Sequence, residues 1–176
     1  MEANLDFLFK DEITKAYLGG FTNYLAVKLP PAVIDNFRNN NITLLLNIAP
    51  GNVISNFAFP FTERKYGHII IIEKNLLEYC AFTFEESSSM ILHEFGHIFN
   101  NPEDQSQKEF YADYYAKSLG FGNTLASALT KFLEKEFSFI NAQTTEEILR
   151  RIEALTNHEQ EELVGHLKVL RPIPNI

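Results

Sequence analysis

A single cysteine, Cys80, stands in the 176 residues, so no intramolecular disulfide can staple this chain and its thiol content suits a reducing compartment. With no companion motif nearby, Cys80 reads as a small buried apolar residue and not as a nucleophile. Tryptophan is absent, which leaves sixteen phenylalanines and seven tyrosines to build any aromatic core. Apolar runs are short. Leu44-Leu45-Leu46 and Ile69-Ile70-Ile71-Ile72 are strand-sized, far below the roughly 20 residues a bilayer crossing needs, so no membrane span is expected. The opening MEANLDFLFKDE has neither a basic n-region nor an apolar h-region, and the expectation is a cytoplasmic protein. Positive charge is also scarce. Fifteen Lys and Arg face twenty-three Asp and Glu, a net charge of −8 with no basic patch, which argues against nucleic acid or an anionic membrane as partner. Internal repeats, low-complexity tracts and linkers are missing too.

What is present describes a globular chain. Hydrophobic residues make up 45%, enough to exclude a disordered segment, and the length supports a single domain over residues 1–176. The pattern changes near Glu73. Before it, an amphipathic helix is predicted over residues 4–18, stopped by Gly19-Gly20, then a strand from Phe21 to Leu29 and a short helix from Ala32 to Arg38. Further strands are predicted over Asn41 to Ile48, Val53 to Phe59 and Gly67 to Glu73, divided by Pro50-Gly51 and by the segment from Pro60 to Tyr66. After Glu73 the periodicity is helical, near Leu76 and over residues 85–99, 105–119, 122–136, 145–156 and 158–169. Strands first and helices second predict an α+β fold with a small N-terminal mixed or antiparallel sheet.

The chemistry concentrates in His93-Glu94-Phe95-Gly96-His97. On a helix, positions i and i+4 share a face, so His93 and His97 can offer ring nitrogens to one ion, with Glu94 beside it as a general base. Thr83 and Glu86 form a capping-box pattern at the start of that helix, and Asn100-Asn101-Pro102 ends it. A second helix follows, with Gly120 as its stop, and it carries Glu109 and Asp113 on one face. A catalytic zinc takes three protein ligands and keeps one position open. Glu109 is the candidate third ligand, and Asp113 the candidate partner for a ligand histidine's far nitrogen.

The segment EFYADYYAKSLG, Glu109 to Gly120, resembles the third-ligand helix of the gluzincin metallopeptidases that include the CAAX prenyl proteases and the HtpX-like heat-shock proteases. Asn56-Phe57-Ala58-Phe59-Pro60, Gly67 to Ile72 and Asn75-Leu76-Leu77 are similar to the upstream run of those proteins. TTEEILRRIEAL is similar to their downstream segment, with Arg151-Ile152 on an Arg-Ile pair. The likeness covers about Val53 to Leu155. It implies a zincin-like fold and a zinc metalloendopeptidase that hydrolyses extended or unfolded protein segments. His93, His97 and Glu109 would then hold one zinc, with Glu94 as general base, Asp113 supporting the ligands and Arg151 as a candidate oxyanion donor. His68, His158, His166, Tyr111 and Tyr114 are other donor candidates. The strand over Gly67 to Glu73 would be the edge that receives substrate.

Three departures qualify this. Most members span or cross membranes, and no span is found here. Thr145 stands where the related segment carries a histidine, and Phe57 replaces a small residue. Two further readings therefore stand beside the first: a catalytically reduced zinc-binding regulatory or binding module, and a processing protease dedicated to one regulator.

Overall fold

The computed structural model describes residues 5–48, 55–62, 65–100, 102, 104–136 and 140–157. The predicted helix over 158–169, with His158 and His166, lies outside them. The described chain is α+β, a three-stranded sheet joined to a larger set of helices.

The N-terminal part departs most from expectation. A single 3-10 turn, Asp6–Leu8, replaces the helix predicted from residue 4, and α1 runs over Glu12–Lys28. It passes straight through Gly19-Gly20 and takes in most of the segment predicted as a strand from Phe21 to Leu29. Burial explains the outcome. Leu18, Thr22, Leu25, Ala26 and Leu29 recur at helical spacing and are all buried, so one continuous apolar stripe outweighs the two glycines. Gly20 has a packing role instead, because a Cβ there would lie 3.1 Å from the Phe84 ring. Asp11 caps the start by accepting from the Thr14 amide, and α2, Pro31–Asn39, begins with proline in its first turn.

Strands β1 (Ile42–Asn47), β2 (Ser55–Thr62) and β3 (Lys65–Glu73) form one sheet in the order β1-β3-β2. β1 runs parallel to β3, from Ile42 opposite His68 to Asn47 opposite Glu73, whereas β2 is antiparallel to β3. Of the mixed or antiparallel sheet expected, the antiparallel alternative is thus corrected by the parallel β1–β3 pair. β3 is also central and not an edge. Both of its edges are hydrogen-bonded, so it cannot be the edge that receives a substrate strand, the role that the family resemblance implies for Gly67 to Glu73. Ile70 and Ile72 are fully buried and stand opposite Leu44 and Leu46 of β1, of which Leu44 is also fully buried.

After the short helix α3 (Lys74–Tyr79), α4 spans Phe84–Phe99. Its capping box forms as predicted: the Glu86 amide donates to Thr83 Oγ1, and the Thr83 amide donates to the Glu86 carboxylate. A 3-10 turn at Gln105–Gln107 leads into α5, Lys108–Ser118. That helix stops at Gly120, whose φ of +90° is open to glycine at little cost. α6 covers Gly122–Glu136, and α7 covers Ala142–Thr156, starting three residues before the predicted boundary because Asn141 caps it. One hydrophobic cluster extends from Leu5 to Leu155, uniting sheet and helices around a single core. Among the described residues, no helix is long and apolar enough to cross a membrane.

Candidate metal centre

Two helices and a brace from a third build the site. α4 contributes His93, Glu94 and His97, and α5 contributes Glu109 and Asp113. They can approach closely because of two small residues: a Cβ on Gly96 would fall 2.6 Å from the Cα and carbonyl oxygen of Ala112. Only glycine allows α5 to lie this close to α4 at the level of the two histidines. Behind them, Phe37 packs on Phe95 and Phe99, and Phe99 stacks on Tyr115, which holds the other faces of α4. Asn100, at the end of α4, donates to the Tyr111 carbonyl and locks the helices in register.

His93 Nε2 and His97 Nε2 lie 3.1 Å apart. Glu109 Oε2 is 3.4 Å from His93 Nε2, and its Oε1 is 3.6 Å from His97 Nε2. Tetrahedral zinc with bonds of about 2.0–2.1 Å would set its donors about 3.4 Å apart, so all three spacings suit a shared zinc. Glu94 lies close by, with ligand-capable atoms of His93, Glu94 and His97 all within 4.8 Å of one another. Glu109 reaches both Nε2 atoms with its two oxygens from the neighbouring helix, which favours it as third ligand with Glu94 beside the set. Glu94 is buried, with 6% of its surface exposed.

Around these donors sits a second set of charges. Asp113 Oδ1 is 2.8 Å from His93 Nδ1, at ion-pair distance, although the ring N–H is not aimed well enough to count as a hydrogen bond. Arg151, on α7, donates from Nε and Nη2 to the two Asp113 oxygens at 2.6 and 2.8 Å. Its Nη1 lies 3.1 Å from Glu109 Oε2. The guanidinium expected as an oxyanion donor is therefore bound to two carboxylates, and its evident task is to hold them. Lys117 strengthens the same α5–α7 contact by donating to the carbonyls of Ala154 and Asn157.

Charge and burial perturb every group in this cluster. Burial disfavours protonated His93, but Asp113 and Glu109 outweigh it and hold its pKa up at about 9. Burial and then the charge of His93 push His97 down to about 4. Burial raises Glu109 and Asp113, yet His93 and Arg151 win and bring both to about 2. Burial holds Glu94 above the usual carboxylate range. Strongly shifted groups gathered in one place are a common mark of functional sites.

The remaining donor candidates do not converge on this cluster. His68 is half-buried on β3 and makes no hydrogen bond or ion pair with the cluster among the described residues. Tyr114 buries its hydroxyl without a partner among them, and Thr145 donates to the Asn141 carbonyl at the start of α7. Sequence reasoning passed over Gly96, whose importance depends on the backbone of a second helix. It also missed a polar cleft next to Glu109, lined in part by Lys108, Gln143, Glu147 and Arg150. The only local sign of that cleft is the polar spacing 143, 147, 150 on α7, which looks the same as a solvated face. No known protein family, curated protein or solved structure matches this chain.

Proposed function

We propose that this chain is a zinc-dependent metalloendopeptidase of the gluzincin type, acting on extended or unfolded protein segments in a cytoplasmic setting. The observation that carries the reading is a donor set whose spacing fits one tetrahedral metal ion. Two histidine nitrogens and the Glu109 carboxylate lie 3.1–3.6 Å from one another, with Asp113 beside His93 and Glu94 buried next to them, and Arg151 pairs with Glu109 and Asp113. Nitrogen and oxygen donors at this spacing suit zinc.

His93, His97 and Glu109 would hold the ion, and Glu94 would stand beside it. When bound, zinc supplies Lewis acidity and lowers the pKa of its water from about 15.7 to near 7. Glu94, whose pKa burial raises, would be placed to take a proton from a water bound there and to give it to the leaving amine. Asp113 orients His93 through Nδ1 while Arg151 fixes Asp113 and Glu109 together, so two ligands are positioned by one guanidinium. Because β3 is paired on both sides, an extended substrate would add to the outer edge of β2, which pairs with no other strand among the described residues.

A second reading, a zinc-binding module with reduced catalysis, is favoured by one observation: Arg151 is committed to carboxylates and Thr145 offers no imidazole, so no side-chain oxyanion donor is evident among the described residues. One comparison separates the two. Zinc-loaded wild type should cleave a pool of unstructured synthetic peptides, and Glu94→Gln should retain zinc while losing roughly 10²–10⁴-fold in rate. Zinc-loaded wild type that cleaves nothing would support the module; a Glu94→Gln variant that keeps most of its activity would remove the mechanism.

A further inference from the structure

Next to the metal ligands the fold leaves a cleft of about 500 Å³, and its lining includes Glu109 itself. The cleft therefore opens beside the proposed zinc site. One wall is Lys108 and Phe110, the residues flanking Glu109 on α5. The other is a stripe on α7, Gln143, Glu147 and Arg150, at spacings of four and three residues. The adjacent stripe of α7, Ile148, Arg151 and Leu155, is buried. α7 thus turns one face to the metal ligands and core and the next face to the cleft.

We infer that this cleft is the specificity subsite for the residue beside the scissile bond, and that it selects an acidic side chain, aspartate or glutamate. The inference rests on the peptidase reading above. Its charge argument is independent of that reading. Lys108 makes no salt bridge among the described residues, and Arg150 has only a solvent-exposed pair with Glu146, which a substrate carboxylate can displace with little loss. Glu109 is already engaged by Arg151 at 3.1 Å. Glu147, which faces the opposite way in sign, bears on Arg151 as well and helps to keep that guanidinium charged. Lys108 and Arg150 thus share the lining with two acids, Glu147 and Glu109, and Glu109 is held by Arg151 from outside the lining, in a chain whose net charge is −8. Phe110 provides an apolar wall for the methylene stem, and the amide of Gln143 adds a donor for the carboxylate.

The test uses the zinc-loaded full chain and an unstructured synthetic peptide library of random sequence, with cleavage sites mapped by mass spectrometry. Acidic residues should be enriched at one position flanking the cut. A matched peptide pair with glutamate or lysine at that position should differ in kcat/KM by at least about fivefold. The double charge reversal Lys108→Glu with Arg150→Glu should invert the ratio, and Lys108→Arg should preserve it. Cleavage with no acidic bias, or a bias that survives the double reversal, would overturn the subsite while leaving the peptidase intact. Absence of cleavage by zinc-loaded protein would overturn the peptidase reading, and the subsite with it.

Discussion

The two ends of helix α4 both bury carboxylates, and they settle the resulting charge in different ways. At the N-terminal end, Glu86 is 4% exposed, and its oxygens accept from the Thr83 amide, Ser127 Oγ at 2.6 Å and Lys131 Nζ at 2.7 Å. One negative charge meets one positive charge, and the chain's own donors complete the arrangement. At the C-terminal end, Glu109 and Asp113 share one arginine with Glu94 buried nearby, and against the pull of burial Asp113 and Glu109 hold the His93 pKa up at about 9. The first is a structural clamp made by the chain's own groups; the second is the site proposed to take a zinc ion. Burial alone does not distinguish a functional carboxylate from a structural one, but the groups around it do.

Breaking each end should show the difference. Arg151→Leu leaves Asp113 and Glu109 without their guanidinium and is expected to cost about 3–5 kcal/mol in the zinc-free protein, with part of the loss recovered on adding zinc. Lys131→Met removes a cation that is one-third exposed and should cost about 1 kcal/mol, with no recovery by zinc. Urea unfolding with and without zinc checks both, and equal zinc responses in the two variants would erase the distinction.

Gly96→Ala is the next largest effect. Its methyl group would press on the Ala112 backbone at 2.6 Å, so α4 and α5 must separate, at a cost of about 1–3 kcal/mol. Zinc affinity should fall along with stability, because the shift pulls Glu109 away from the two histidines. A variant as stable as wild type with unchanged zinc affinity would show that the helix contact does not set the site.

The last effect is in pH dependence. His93 in the zinc-free protein has a pKa raised from 6.5 to about 9, so its stabilising contribution is complete below 6.5 and is lost as pH rises through 9. In the proposed zinc complex the ion would take the place of that proton. The gap in melting temperature between zinc-bound and zinc-free protein should therefore widen from pH 6.5 to 9. His97, lowered to about 4, adds a penalty on the acid side as pH falls from 6.5 toward 4. A gap that narrows over pH 6.5 to 9 would contradict the assignment of the proton to His93.

The legibility of these features in the sequence follows their range along the chain. His93 and His97 are one helical turn apart, as are Glu109 and Asp113, so helix periodicity alone places each pair on a face. The Thr83–Glu86 cap and the Gly120 stop were equally local. Arg151 lies 38 residues from Asp113, and no periodicity could reveal that its guanidinium is held by two carboxylates. Likewise, Glu86 could be read as a capping residue, but its pairing with Lys131 spans 45 positions. The N-terminal region misled for a different reason. Gly19 and Gly20 are ordinary stop signals, and only tertiary burial of the stripe from Leu18 to Leu29 carries α1 past them. The central place of β3 depends on strand order, which isoleucine content does not encode.

The most direct test is a calorimetric titration of chelator-stripped protein with zinc at pH 7.5, carried out in two buffers of different ionisation enthalpy. A completed cation site predicts saturable binding of about one ion per chain, with about one proton released as His93 gives up its hydrogen. No saturable binding, or binding that persists unchanged in His93→Ala, would contradict the account.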